Sequence, residues 1–596
     1  MKQGCGLPIW MILSAAGASA LPAVAQVPAT AQVSATARVP DAAPSTLTAP
    51  DSLPSLPVSG YGVGGALSPA TAVNPDLVHA PPAPSISLSV PGAGVTTLQQ
   101  GDPRTPAYLI RPRITVGETL TDNVRLTPKN RVADFETQLS PGLSISADTP
   151  RFRGILDANL EYDKFVFAPD QDRLFLSLYG NGTVTAIPDM LFVDVQANRS
   201  QASLVGSAGF ASVSQQSKNS TTPVTVASIS PYLRRSYAGL VDSELRYRFG
   251  TTSSAGGGFG NNALTTPILQ TSSALADSSL NQGTLTVATG RDFEKLLSRL
   301  TLDVSKVDSS SVAANSRSTA YNDIEYRFTS GVAALGRLGY ENIRYRDAPD
   351  ATTAGIAWQI GGRLNFGNDT DYATLRYGKQ EGIYGFSGAA HYQITPATAL
   401  TMAGGNSLGS LQDLATNTLT QSSLDPYGRI VDQFGLPTAF VNPSFSLLND
   451  VVRSKSYRVD LTTTIGVNRL SLFGTFDRRT SLGTTAPPSP SIGVHFLWAR
   501  EVRPDLTANF AVGFVNTKNL AVMPVSSAPV TTTLIDNTNT ATADLNLQYL
   551  FNETLTGSAT YSLVYQTNGP SISSANVVTV GNILTNRLIF SLTKTF

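Results

Sequence analysis

The chain has 596 residues, with 42 basic and 42 acidic side chains and a single cysteine. Charged residues make up only 14% of it, against roughly 25% in an ordinary soluble protein, while glycine occurs 49 times. The neutral balance argues against a nucleic-acid partner, and one cysteine excludes a disulfide framework and a cysteine zinc site. These numbers favour a large, charge-poor chain built from β structure.

The N-terminus has the pattern of an export signal over residues 1–25. Lys2 precedes an apolar stretch around Leu7–Leu13, and small residues follow. The stretch is too short and too interrupted by proline to span a membrane as a helix. We expect cleavage after Ala25, which removes Cys5 and leaves a cysteine-free chain suited to an oxidising compartment.

Residues 26–106 consist largely of alanine, proline, valine, serine and threonine, with almost no charge. Proline at this density prevents a packed element, so the segment is predicted to be a disordered periplasmic tether. The alternative is that it threads through the remainder of the protein or contacts peptidoglycan.

From residue 107 to residue 596 the chain alternates apolar and polar side chains. Residues 156–163 read Leu-Asp-Ala-Asn-Leu-Glu-Tyr-Asp, and Ile492, Val494, Phe496 and Trp498 keep the same period of two. Such alternation is typical of half-buried strands, and no long helical period competes with it.

Three features favour a transmembrane barrel over a soluble β-sandwich array or a β-helix. Many alternating segments reach about ten residues, as a tilted membrane-spanning strand requires. Tight turns such as Ile187-Pro188-Asp189 alternate with longer polar loops. The last strand ends in Phe596 and resembles the signal that the barrel-assembly machinery reads, which makes that machinery an expected partner. The longer loops are predicted near 119–131, 200–221, 250–282, 405–452, 479–490 and 517–540.

The alternation predicts an all-β, antiparallel barrel of about 22 strands (range 18–22), with both termini on the periplasmic side of a Gram-negative outer membrane. The predicted strands are 107–118, 132–146, 151–165, 173–186, 190–200, 222–235, 239–249, 283–291, 297–307, 318–328, 333–346, 354–366, 370–379, 383–394, 398–404, 454–465, 468–478, 490–500, 505–516, 539–550, 554–566 and 580–596. One face of each strand is then expected to contact outer-membrane lipid.

A resemblance to a known family covers roughly residues 108–205. It rests on the segment Thr115-Val116-Gly117-Glu118-Thr119-Leu120-Thr121-Asp122-Asn123-Val124, on Arg125-Leu126-Thr127-Pro128 directly after it, and on the segment from Asp134 to Ile145. These segments resemble the PEP-CTERM-system-associated outer-membrane β-barrel family, a branch of the β-barrel porins. The resemblance implies a barrel and a link to exopolysaccharide production, and it transfers no catalytic residue.

The sequence contains no recognisable catalytic or metal-binding motif. GxSxG, P-loop and HExxH patterns are missing, and His79 lies in the tether. His391 and His495 fall on polar faces of separate strands without a second ligand at local spacing. We therefore expect no catalytic, cofactor or metal site and a non-enzymatic protein. A serine hydrolase assembled from different strands is the weaker alternative.

The polar face is the candidate functional surface, because charges facing lipid would cost about 2–4 kcal/mol each at the bilayer midplane. The residues predicted to line a channel are Asp157, Glu161, Asp194, Glu244, Arg246, Arg248, Arg299, Asp303, Arg363, Arg376, Arg458, Asp460, His495, Asn546 and Gln548. Their mixed charge favours a passage for neutral or weakly charged sugars. The alternative is that opposite charges pair across strands merely to solvate the wall.

The leading functional hypothesis is a passive outer-membrane channel for exopolysaccharide secretion that cooperates with polysaccharide and periplasmic export components. A general diffusion porin and a closed barrel that anchors a surface assembly are the alternatives. The long segment 405–452 is expected either to fold inward as a constriction or plug, or to remain an external loop.

Overall fold

The structure is a computed structural model of the whole chain. It describes residues 107–596 apart from 204–217, 219–220, 255–275, 291, 310–313, 347, 367–370, 422, 425–429, 432–444, 446–449, 483–487, 524–530 and 573–577. Further towards the N-terminus it gives only the short antiparallel pair of Ser87–Leu88 with Thr96–Thr97. The predicted signal and the remainder of the predicted tether lie outside the described residues and stay predictions.

Twenty-two antiparallel strands form one closed barrel. In chain order they are β1 Tyr108–Thr121, β2 Asp134–Asp148, β3 Phe152–Phe165, β4 Arg173–Ile187, β5 Leu191–Ser203, β6 Thr221–Tyr237, β7 Val241–Ser253, β8 Ser278–Thr289, β9 Leu296–Ser309, β10 Asn315–Arg327, β11 Val332–Tyr345, β12 Thr353–Asn365, β13 Tyr372–Gln380, β14 Ile383–Thr395, β15 Thr398–Ser410, β16 Val451–Ile465, β17 Asn468–Ser481, β18 Ser489–Arg503, β19 Leu506–Met523, β20 Thr531–Asn552, β21 Leu555–Ile572 and β22 Val578–Thr595.

Other elements lie between the barrel strands. Helix α1 spans Leu411–Gln421, and single 3-10 turns occupy Pro169–Gln171 and Pro349–Ala351. A two-residue pair joins Ser423–Leu424 to Ile430–Val431. In the part of the chain that the structure describes, no helix is long and apolar enough to cross a membrane.

The first and last strands close the barrel. β22 pairs with β1 from Arg587↔Thr121 to Thr595↔Arg113, and the backbone N–H of Phe596 donates to the carbonyl of Pro112 at 2.9 Å. Closure leaves the sheet without an exposed edge, and this is the condition under which strands can cross a bilayer.

The predicted fold is confirmed, because each predicted strand overlaps an observed one and the count is 22. The main differences are at strand ends. The predicted loop 517–540 consists largely of the ends of β19 (Leu506–Met523) and β20 (Thr531–Asn552), whose threonine- and asparagine-rich sequence lacks apolar alternation. Hydrogen bonding between neighbouring strands continues there without an apolar face.

The connections separate the two ends of the barrel. The terminus end, which carries Tyr108 and Phe596, has short turns such as 396–397, 466–467 and 553–554. The loop end has long connections such as 122–133, 254–277 and 411–450. One loop-end connection is a two-residue turn, Glu381-Gly382, with φ of 52° and 70°. Positive φ at both positions is what a type I′ hairpin turn requires.

The two faces of the wall have the predicted polarity. Large apolar side chains project outward; Leu338, Ile360 and Leu375 are about two-thirds exposed. Alternating with them, inward side chains such as Arg337 and Glu341 are buried. Aromatic residues also project outward, among them Tyr162, Tyr247, Trp358, Tyr392, Trp498, Tyr561 and Tyr565.

The outward face gives a direct test of the membrane assignment. Leu302 projects outward near the middle of β9, and its neighbour Thr301 projects inward. We expect Leu302→Arg to lower the free energy of unfolding by about 2–4 kcal/mol, measured by urea titration in lipid vesicles, because the charge enters hydrocarbon. The matched control Thr301→Arg should lose clearly less. Equal losses for the two variants would contradict the assignment of the outward face to lipid.

Candidate functional site

The structure places all fifteen residues predicted to line a channel on the inward face of the barrel. The acidic residues among them are Asp157, Glu161, Asp194, Glu244, Asp303 and Asp460. The basic ones are Arg246, Arg248, Arg299, Arg363, Arg376 and Arg458. The uncharged ones are His495, Asn546 and Gln548, which are buried. Their predicted role in lining a passage stays a prediction.

Opposite charges on this inward face pair across strands. The Arg246 guanidinium lies 2.6 Å from Asp194 of β5 and 2.9 Å from Glu244 of its own strand. Arg113 of β1 forms two hydrogen bonds with Asp157 of β3, at 2.8 and 3.0 Å. These residues therefore fit the alternative interpretation of the charged lining, in which opposite charges pair across strands.

A charge ladder runs around the wall where four strands place polar residues directly opposite one another. The register pairs Arg299 with Asp323, Asp323 with Arg337, and Arg337 with Gln359. Arg337 donates to both oxygens of Asp323, at 2.7 and 2.8 Å, and Arg376 donates to the same carboxylate at 3.2 Å. Arginine with a carboxylate in this two-bond geometry is a strong and directional pair.

The residues at the centre of this ladder are not among those predicted from the sequence. Asp323 and Arg337 are 5% and 1% exposed in their side chains, yet neither was selected as a lining residue. The signal was available, because both lie on the polar face of a predicted strand. Their pairing depends on strand register, which alternation alone does not fix.

A second charged cluster lies on β2, β3 and β4, and of its residues only Glu161 was predicted. Arg173 lies 2.5 Å from Asp163 and 3.6 Å from Glu136, and all three side chains are less than 10% exposed. The inward face thus carries tightly paired charges at several positions and has no single-sign ring among the described residues.

Helix α1 begins at a capping box. The Ser410 hydroxyl accepts a hydrogen bond from the N–H of Asp413, and the Asp413 carboxylate accepts one from the N–H of Ser410, both at 3.1 Å. This reciprocal arrangement satisfies backbone donors that would otherwise lack partners at a helix start. Leu414, Ala415 and Leu419 are buried, so the helix is enclosed by the barrel.

The helix crosses the lumen. It leaves the end of β15 and packs against β5, β6 and β7, which lie eight to ten strands away from β15 in the ring of 22. The hydroxyls of Thr416 and Thr252 lie 3.1 Å apart, and Asn315 of β10 donates to Asp413 at 3.0 Å. Gln412 donates to the carbonyl of Ala276 at 3.2 Å. These contacts fasten α1 to inward residues near the loop end.

The wall itself changes where the helix enters. β14 and β15 are paired from Thr395↔Thr398 only to Gly388↔Gly404, whereas β15 remains paired with β16 as far as Ser410↔Val451. Beyond Gly404 the side chains of β15 are largely buried on both faces. The loop end of β15 therefore bends into the lumen and carries α1 with it.

Two buried carboxylates stabilise this bend. Glu381 accepts hydrogen bonds from the N–H of Leu408 at 2.7 Å and from Arg317 at 2.8 Å. Glu341 accepts from the backbone N–H groups of Glu381 and Gly382, at 2.7 and 2.8 Å. The tight turn 381–382 is thereby tied to β11 and to the end of β15.

An apolar cluster fills the space beside these carboxylates. Ile343, Tyr345, Ile383, Leu408 and Val451 are at most 6% exposed and pack together. Of the two expectations for segment 405–452, the inward one is confirmed for residues 405–421. The greater part of the segment beyond residue 421 lies outside the described residues.

No metal centre is found among the described residues, since no three histidine, cysteine, aspartate or glutamate side chains lie together. The Nδ1 atom of His391 lies 3.1 Å from the Thr401 hydroxyl, and His495 packs 5.9 Å from the Phe473 ring. The histidines are thus separate parts of the wall.

No protein-family model and no curated protein matches the chain. The resemblance of residues 108–205 to the PEP-CTERM-associated barrels therefore stays a prediction.

Solved structures do match. The siderophore receptor PirA from Acinetobacter baumannii is 11% identical with a TM-score of 0.42, and the match covers 81% of this chain and 80% of that one. The ferric-catecholate import receptor Fiu from E. coli is 9% identical with a TM-score of 0.44, covering 83% and 82%. The FrpB iron transporter from Neisseria meningitidis is 9% identical with a TM-score of 0.41, covering 82% of each chain.

The class of protein that the fold defines is a closed antiparallel β-barrel of 22 strands. The more specific prediction, a passive exopolysaccharide channel or else a diffusion porin, was wrong. The matching structures are titled as siderophore and iron receptors or transporters. The physical reason lies in the lumen, where α1 crosses from β15 to β5, β6 and β7, so that a polar lining does not by itself make a continuous passage.

The charge ladder can be tested by contrast with an exposed ion pair. We expect Arg337→Met to cost about 3–5 kcal/mol in the free energy of unfolding, because it removes two charge-assisted hydrogen bonds from the buried Asp323 carboxylate and leaves it only the longer bond from Arg376. Arg503→Met removes a pair with Asp505 whose side chains are 58% and 38% exposed, and should cost less than about 1 kcal/mol. Urea titration in vesicles measures both, and similar losses would show that the ladder does not stabilise the wall.

Proposed function

We propose that this protein is a gated outer-membrane transporter in which α1 closes the lumen and a polar solute passes only when α1 leaves its docked position. The observation that carries the proposal is the helix itself, which is fastened by polar contacts to strands away from its origin. The barrel is large enough to admit a solute once the helix moves, since 22 strands enclose a wide lumen.

Helix α1 is held differently at its origin on β15 and at the opposite wall. The bend at β15 contains the apolar cluster and two buried carboxylates, so it is the stable end. The described contacts of α1 with the opposite wall include two single hydrogen bonds, one between the hydroxyls of Thr416 and Thr252 and one from Gln412 to the carbonyl of Ala276. A hydrogen bond contributes about 0.5–1.5 kcal/mol net. Such contacts can be outweighed by a solute that binds the open state better.

A gated transporter of this kind also requires a defined orientation and a route into the membrane. The loop end faces the exterior and the terminus end faces the periplasm, where other components supply any drive. An export signal over residues 1–25 delivers the chain, and the assembly machinery inserts the barrel through its last strand, which ends at Phe596.

Planar-bilayer recording tests the gate. The double variant Thr252→Ala with Asn315→Ala removes two docking bonds, worth about 1–3 kcal/mol together. We expect the fraction of time spent conducting to rise roughly 5–150-fold, since about 1.4 kcal/mol corresponds to tenfold.

The matched control removes two side-chain hydrogen bonds of the inward face away from α1. Asn546 of β20 donates to Thr560 of β21 at 2.7 Å and accepts from Asn509 of β19 at 3.2 Å. Asn546→Ala with Thr560→Ala should leave the conducting fraction unchanged. The proposal fails if the docking variant conducts no more than the wild type, or if both double variants rise equally.

A further inference from the structure

The outward face carries an excess of basic residues on its described strands at the loop end. Among outward side chains of the described strands near that end, six basic residues have no acidic partner within the described residues. They are Arg199, Arg344, Lys379, Lys455, Arg478 and Lys518. The outward acids at the same end, Glu118 and Asp308, contact Thr137 and Lys306. The loop end therefore presents surplus positive charge to its surroundings.

Two of these cations lie directly opposite each other. The register pairs Lys455 of β16 with Arg478 of β17. Directly opposite residues have Cβ atoms about 4.5–5.5 Å apart, and like charges at such positions destabilise a sheet. An anion between the two side chains converts this repulsion into two charge-assisted hydrogen bonds.

The surface next to the cation pair, towards the middle of the barrel, is apolar. Tyr457 and Phe476 are themselves directly opposite in register, with ring centroids 6.3 Å apart. They are 38% and 36% exposed on the outward face, and the Tyr457 ring lies close over Gly404. A cationic pair followed by an exposed aromatic pair matches a molecule with an anionic head and an apolar tail.

We propose that Lys455 and Arg478 bind a phosphate of an anionic lipid in the outer leaflet, with its acyl chain against Tyr457 and Phe476. Guanidinium and ammonium groups both recognise phosphate, the former through its fork of donors and the latter as a point charge. Free phosphate can bind only the two cations, because it has no apolar chain to pack against the two rings. The site goes beyond the proposed function, because it lies outside the lumen and does not involve α1.

Binding can be measured on the full-length barrel in zwitterionic detergent micelles. The probe is diphosphorylated lipid A, and the readout is the dissociation constant from titration together with the rise in melting temperature. We expect Lys455→Gln with Arg478→Gln to weaken binding by at least tenfold and to abolish most of the rise in melting temperature.

The control is Arg500→Gln, which removes an outward cation near the terminus end of β18 and should bind lipid A like the wild type. Lipid A without its phosphates should bind the wild type at least tenfold more weakly, and inorganic phosphate should not raise the melting temperature. A second variant, Tyr457→Ser, keeps both cations and should weaken lipid A binding but not eliminate it.

Three results would overturn the proposal. They are equal binding of lipid A by the double variant and the wild type, equal binding of the dephosphorylated lipid, and equal stabilisation by inorganic phosphate. Because none of these readouts involves conductance, their outcome is independent of whether α1 gates the lumen.

Discussion

The structure depends on one constraint, which is that backbone polar groups in hydrocarbon must find partners within the protein. The pairing of β22 with β1 meets it, because this pairing closes the sheet and removes its two edges. Once the sheet is closed, each strand has a lipid face and a lumen face, so a period of two becomes a requirement of the sequence. The low charge of the chain follows, since one face of each strand excludes ionised side chains except near the ends.

The same constraint explains the inward face. Side chains excluded from the lipid side concentrate on the lumen side, where burial makes an unpaired charge costly and a paired one directional. The ladder through Asp323 and Arg337 shows the result. Where β15 separates from β14, side-chain carboxylates accept hydrogen bonds from backbone N–H groups. Glu381 accepts from the N–H of Leu408, and Glu341 accepts from the N–H groups of the turn at 381–382. A break in the wall is thus tolerated where it is covered from within.

Most of the fold could be predicted from the sequence, since alternation identified 22 strands and placed residues such as Asp157, Arg299 and His495 on the inward face. Helix α1 was not predicted, although Ser410 and Asp413 form a capping box and Leu414, Ala415 and Leu419 follow with helical spacing. A helix of three turns inside a long polar loop shows too few repeats of the helical period to be recognised from the sequence. The exopolysaccharide hypothesis failed because a polar lining does not reveal whether a loop crosses the lumen.

The most direct measurement of the central claim is cross-linking between α1 and the opposite wall. Thr252 and Thr416 have hydroxyls 3.1 Å apart, and the mature chain is expected to lack cysteine, so Thr252→Cys with Thr416→Cys introduces the one possible pair. We predict that a mild oxidant joins them in intact outer membranes and that the joined protein no longer conducts until the disulfide is reduced. Free reaction of both cysteines with a water-soluble maleimide, without cross-linking, would contradict it.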